Sequence, residues 1–512
     1  MTTTRDSSRR IEILAVVARA LVAAVIVAMS PWALAVQVAQ NGLGQVLLYP
    51  YYTIRATRDG PYNSLFIITN TAADTKVIRV RFRESKNGRP VQSINVYLVP
   101  NDSFAAAVVP DPTSTGAELL WYDQSCTDPP VAVATDASHA LPFNNLQYSG
   151  LNADFEDASL ARTGEGYIEI FELGVVKDAT ALAALKPDRT VSGVVPDCPT
   201  AVAVALDDVS KIGPPTGGLM GSGFLINVFA STLYSYDATA LDDFTRVALW
   251  SRPTAATPTL DDVNPKLSRI FDGAILRQSS WDVAKGARPA DPVSAVLMAD
   301  QVLNYFVLDR FTASSTDWIV TMPTKPNYVS VVGAIAPPPA PFESRFNAGG
   351  APDSFDYKFD PCRGQNGGRS IAYDREGYSA EGPVGCPGIP PPLTRFVLPW
   401  TTNIITFSAV FAPSNPSVFA SSSSIAFALG RDVDMPRYNG WLRLGPLPNA
   451  SPSPAHKLVS TDAPPVTYYG LPMIGFMANS YYNGAIPAPG GQGTLLSAYG
   501  ATSPHKGVMR IE

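Results

Sequence analysis

Hydrophobic and polar positions alternate with a period of two along much of the chain. The clearest run is Lys76–Glu84, where Ile78, Val80 and Phe82 fall on one side and Arg79, Arg81 and Arg83 on the other. That spacing predicts a strand, and the arginine side reads as a solvated sheet face. After the turn Ser85–Gly88, Val91–Val99 supplies a hairpin partner. Gly44–Arg55 is extended but interrupted by Pro50, which predicts an edge or bulged strand. Further strands are predicted at Leu65–Thr69, Ser103–Val109, Glu118–Tyr122, Gly166–Leu173 and Gly223–Ala230. They continue at Trp318–Pro323, Thr401–Phe411, Ser424–Leu429, Gly440–Leu444 and Val466–Ala478. Helical spacing is confined to the middle, at Asp237–Thr245 and at Val293–Leu308. The second opens with Asp291-Pro292 and places Val293, Val296, Leu297, Leu303 and Phe306 along one stripe. The fold expected is mainly β: antiparallel β-sandwich-like domains with a few short helices. Arg252–Pro258 reads as a linker, dividing a β-rich domain at 36–255 from a second at 256–512 that carries the helix near 292–308.

Composition narrows this picture. Proline reaches 47 of 512 residues and charged residues only 16%, which excludes long helices and a highly charged disordered chain. Residues 1–35 have the layout of a secretory signal: Arg5, Arg9, Arg10 and Arg19, then an apolar run from Ala20 to Met29, then Ala33-Leu34-Ala35. Cleavage before Val36 removes four arginines, Asp6 and Glu12, moving the net charge from −6 to −8. An acidic chain disfavours nucleic acid as a partner. No other apolar stretch has spanning length, so no integral membrane span is expected after cleavage. The location expected is the periplasm, the outer cell surface or the medium.

In that compartment the four cysteines read as disulfides. Cys126–Cys198 and Cys362–Cys386 are the favoured pairs, because each falls within one candidate domain, the second closing the loop 362–386. Their spacing is too wide for a zinc site. His139, His456 and His505 form no metal or haem motif. Gly-x-Ser-x-Gly is absent, and Thr216–Ser222 is Gly-rich without the Lys of a phosphate loop, so it reads as a turn needing positive φ. No catalytic residue and no cofactor is assigned. Two weaker candidates remain. Tyr167, Glu169 and Phe171 share one side of a predicted strand, an arrangement suited to glycan contact. Asp353, Asp356 and Asp360 offer oxygens to Ca²⁺ without matching an EF-hand loop.

Several phrases resemble a family of large, uncharacterised exported proteins of Gram-negative bacteria, of cell-surface type. They are Leu48–Thr53, Lys76–Glu84, Val96–Asp102, Gly166–Ile170, Gly217–Gly221 and Thr316–Lys325. The resemblance runs from about Gly44 to the end of the chain. It implies a surface location and transfers no catalytic residues. The expectation is an exported, non-enzymatic structural or adhesion-type protein, able to self-assemble or to bind cell-surface glycans. The alternative is a secreted carbohydrate-binding or carboxylate-dependent carbohydrate-active protein.

Overall fold

The computed structural model describes residues 34–131, 138–154, 156–186, 197–309, 312–329, 340–342, 371–376, 398–409, 417–429, 439–444, 456–487 and 494–512. Strand makes up 49% and helix 12%, so the chain is mainly β, built from several antiparallel sheets with few short helices.

The largest sheet has eight strands. In spatial order they are Gln37–Val38, Thr239–Asp242, Val46–Thr53, Glu165–Val176, Lys76–Glu84, Pro90–Leu98 and Cys126–Asp128, with Ile212–Gly213 beside the end of Glu165–Val176. Ile78, Val80 and Phe82 point into an aromatic core shared with a six-stranded sheet. That second sheet runs His139–Pro142, Ala117–Trp121, Ser103–Pro110, Asn63–Asn70, Leu219–Asn227 and Thr232–Asp237.

The opposite side of the eight-stranded sheet is also covered, which corrects the solvated-face expectation. Arg79 and Arg81 are buried, and the stretch read as a linker lies across them. Arg79 donates to the carbonyls of Ser251 (2.8 Å) and Thr257 (3.2 Å), and Arg81 to those of Ala255 (3.1 Å) and Pro258 (2.5 Å). Arginine suits this place because its flat guanidinium reaches two acceptors at once. The helices Ala179–Ala184 and Cys198–Asp207 join the same layer, and the Cys126–Cys198 disulfide ties the second to an edge strand. Cys362 and Cys386 lie outside the described residues.

The Pro50 strand is bulged, but it is not an edge. It sits between Thr239–Asp242 and Glu165–Val176, and its register slips opposite Gly166–Ile168, where Pro50 has no N–H to donate.

Two further sheets come from later in the chain. One has four strands, Ile371–Asp374, Asn439–Leu444, Gln301–Val307 and Lys506–Val508. The other has five, Ser424–Leu429, Thr402–Ala409, Ser315–Thr321, Ile474–Pro487 and Thr494–Pro504, with one parallel pair. The aromatic core continues into them. Phe419 packs on Tyr51, Tyr62 and Tyr234, and Phe476 stacks on Tyr236 at 4.7 Å.

Both helix expectations need correction. The helix expected at 292–308 stops at Leu297, and Gln301–Val307 is a strand with Val302, Asn304 and Phe306 turned inward. Its spacing satisfied either period, and pairing with Asn439–Leu444 and Lys506–Val508 decides for the strand. Asp237–Thr245 contains no helix. Thr239–Asp242 pairs with both Val46–Leu48 and Gln37–Val38.

Candidate functional site

Buried charges are plentiful, and they are closed on one another. Arg162 grips both oxygens of Asp154 at 2.7 Å and reaches Glu84 at 2.9 Å. Glu84 also accepts the backbone N–H groups of Lys86, Asn87 and Arg89, fixing the hairpin turn. Lys76 bonds Glu172 at 2.6 Å. The Gly-rich turn closes on that same carboxylate: Gly217 and Gly218 take φ of +77° and +83°, and Thr216 and Gly217 donate their N–H groups to Glu172. The turn therefore cradles an internal carboxylate. Such groups hold the fold, and their oxygens are already engaged.

The residues singled out for glycan contact belong to this interior. Tyr167, Glu169 and Phe171 are at most 2% exposed. Glu169 pairs with Arg83 at 2.6 Å, and Phe171 packs against Phe244. Their strand is flanked on both sides and covered on both faces, so the three offer no platform to a glycan. Asp353, Asp356 and Asp360 lie outside the described residues. Among the described residues no three His, Cys, Asp or Glu side chains gather as metal ligands.

The histidines are placed separately. His139 stacks on Trp121 at 5.2 Å. His505 is buried, which pushes its pKa down to about 4, and its ring nitrogens face the Ile319 carbonyl and the Asn304 amide.

A concave site is present among the described residues, a groove of about 490 Å³ between the four- and five-stranded sheets. Two members of a cross-strand aromatic row line it. Tyr305 on Gln301–Val307 lies opposite Trp441, which lies opposite Tyr373 on the next strand. Cross-strand partners share a face, so three aromatic side chains line up across three strands. Tyr373 and Trp441 stack at 4.4 Å and 14°, while Tyr305 is 59% exposed. On the other face Val302, Phe306, Leu442 and Leu444 are core, which fixes the row's outward direction. Tyr481, Met477 and Phe306 also line the groove, while Tyr373 extends the row beyond it.

Among the described residues the side-chain amides and cation of the groove are Asn439, Asn479 and Arg375, and no carboxylate lines it. Asn479 is oriented by Thr316 Oγ1, which donates to its side-chain carbonyl at 2.6 Å. Asn439 Oδ1 is buried and has no partner among the described residues. An unmatched buried acceptor costs about 1–3 kcal/mol and is a place for a ligand donor. Arg443 sits beside Trp441 at 5.9 Å from its ring, with Nε also buried and unpartnered. Sequence reasoning missed this site because Tyr305 fell within an expected helix, while Trp441 lies 136 positions away in sequence. The one available signal was the alternation Asn439, Trp441, Arg443 in a predicted strand.

Among the described residues no helix is long and apolar enough to cross a membrane. Compared with protein-family models, curated proteins and solved structures, the chain gives no match.

Proposed function

We propose that the chain is an exported, non-enzymatic surface protein of adhesion type that binds carbohydrate in the groove of Tyr305, Trp441 and Tyr481. The supporting observation is the lining: the exposed Tyr305 and the half-buried Trp441 and Tyr481 beside two amides and an arginine. Sugar rings present C–H faces that pack on aromatic rings and hydroxyls that exchange hydrogen bonds with amides and guanidinium. The hydrolytic version of this reading is disfavoured at the same place, because glycoside hydrolysis needs a pair of carboxylates about 5–9.5 Å apart. Export is supported by the layout of residues 1–35.

A glycan array, followed by calorimetry on the best ligand, tests the binding reading. Trp441→Ala and Tyr305→Ala are each expected to weaken binding tenfold or more without altering the fold's circular dichroism. An array on which the wild-type chain binds nothing would sink it. Export is tested by fractionation with N-terminal sequencing, with Val36 expected as the first residue.

A further inference from the structure

The six-stranded sheet carries a core of apolar residues on one face and an apolar strip on the other. Phe66, Phe104, Leu119, Trp121 and Leu225 point into the core. The alternate positions point out, and across the middle of the sheet they are apolar as well, with Thr69, Ser103, Glu118, Ser222, Ser235 and Asp237 around them. Leu65 lies opposite Ala107 on one side and Phe224 on the other, and Leu120 follows beyond Ala107. Ile226 lies opposite Leu233. Ile67 is 36% exposed, Met220 45% and Leu233 51%, and the adjoining hairpin tip presents Val228 and Phe229 at 67% and 66%. The six strands contain no Lys or Arg, and Glu118 and Asp237 are their only acids.

A sheet open to water on one side normally alternates apolar and polar residues, whereas a sheet covered on both sides does not. The eight-stranded sheet follows that rule, since helices and the 251–258 stretch cover its second face. Among the described residues no comparable layer lies on the six-stranded sheet. We propose that this outer face is an interface with a second copy of the chain, two sheets packing face to face about a two-fold axis.

Size and charge select this occupant. Six strands about 4.8 Å apart and up to about 25 Å long give a face of roughly 600 Å². With the Val228–Phe229 tip added, that approaches the roughly 800 Å² per partner of a standard interface. A membrane surface would call for many basic residues, and the six strands carry no Lys or Arg on an acidic chain. The charges of the face itself are Glu118 and Asp237, on strands near opposite edges of the sheet, so its centre is uncharged. The same face on another copy matches it in character, and the small Ala105 and Ala107 beside Leu65 and Phe224 leave room for interdigitation.

Sedimentation of the purified chain from about 1 to about 100 µM reads the association directly. A concentration-dependent dimer is expected, with dissociation at least tenfold easier in Phe224→Lys. Leu233→Lys, at a more exposed position, gives the same reading if Phe224→Lys does not fold. A wild-type chain that stays monomeric across the range would overturn the proposal, and so would a dimer that neither variant weakens. Flotation of a monomeric wild-type chain with phosphatidylcholine vesicles would overturn it in favour of a lipid surface. Trp441→Ala is expected to remain dimeric, which separates this interface from the groove.

Discussion

Asp317 carries a residue-scale consequence of burying charge. Its carboxylate accepts bonds from Thr406 Oγ1 (2.8 Å), Ser417 Oγ (2.6 Å) and the Phe419 N–H (3.2 Å), pinning the 417–419 segment to the Ser315–Thr321 strand. Burial outweighs those bonds and pushes its pKa up to about 6. A carboxyl raised in the folded state favours folding when protonated. Its contribution is therefore fully present below the unfolded value near 3.9 and is lost as pH rises through about 6. Asp317→Asn keeps the shape: its oxygen can accept from Phe419 and its NH₂ can donate to the Thr406 hydroxyl. Urea unfolding at about pH 4 and about pH 7 should show the variant gaining on the wild type by on the order of 2–3 kcal/mol at the higher pH. A stability difference that does not change with pH would contradict this.

At the scale of elements, the lesson is that a strand's second face is decided by what the rest of the chain lays on it. The alternation in Lys76–Glu84 was legible, and so were the hairpin to Pro90–Leu98 and the strands at 103–110, 117–121 and 165–176. The fate of Arg79 and Arg81 was not, because the carbonyls that receive them come from about 170 positions later. Burial lowers their pKa values to about 9 and about 10, and they remain charged at neutral pH. Arg79→Ala would remove one donor from each of the Ser251 and Thr257 carbonyls, which keep Asn95 Nδ2 and Ser251 Oγ, at a cost on the order of 1–3 kcal/mol. Cleavage within 251–258 by a protease of broad specificity such as subtilisin should accelerate as the stretch lifts. Arg79→Lys should rescue little, since an ammonium does not span both acceptors. Unchanged proteolysis in Arg79→Ala would show that packing alone holds the stretch down.

For the molecule as a whole, Cys126–Cys198 links positions 72 apart and anchors the helical layer to the sheet. Closing a loop of that length contributes about 4 kcal/mol in the chain-entropy account. Reductant, or Cys126→Ala with Cys198→Ala, should lower the thermal midpoint clearly, and an unshifted melt would assign the anchoring to side-chain packing. The pairing was legible, since only a few connectivities exist for four cysteines. So was the class of fold, because period-two alternation and proline punctuation are local properties of the backbone. Local pattern was silent or misleading wherever distant segments meet. The Gln301–Val307 stretch fits a helix until two strands from beyond residue 438 pair with it. Tyr167, Glu169 and Phe171 look like a platform until neighbours close over both faces. Sequence by itself determined the strand-rich class and the acidic balance, and favoured the first disulfide among the possible pairings. Only the tertiary structure decided which charges are buried and that Tyr305, Trp441 and Tyr373 stand in one row, because cross-strand register and layer packing join residues whose spacing along the chain encodes neither.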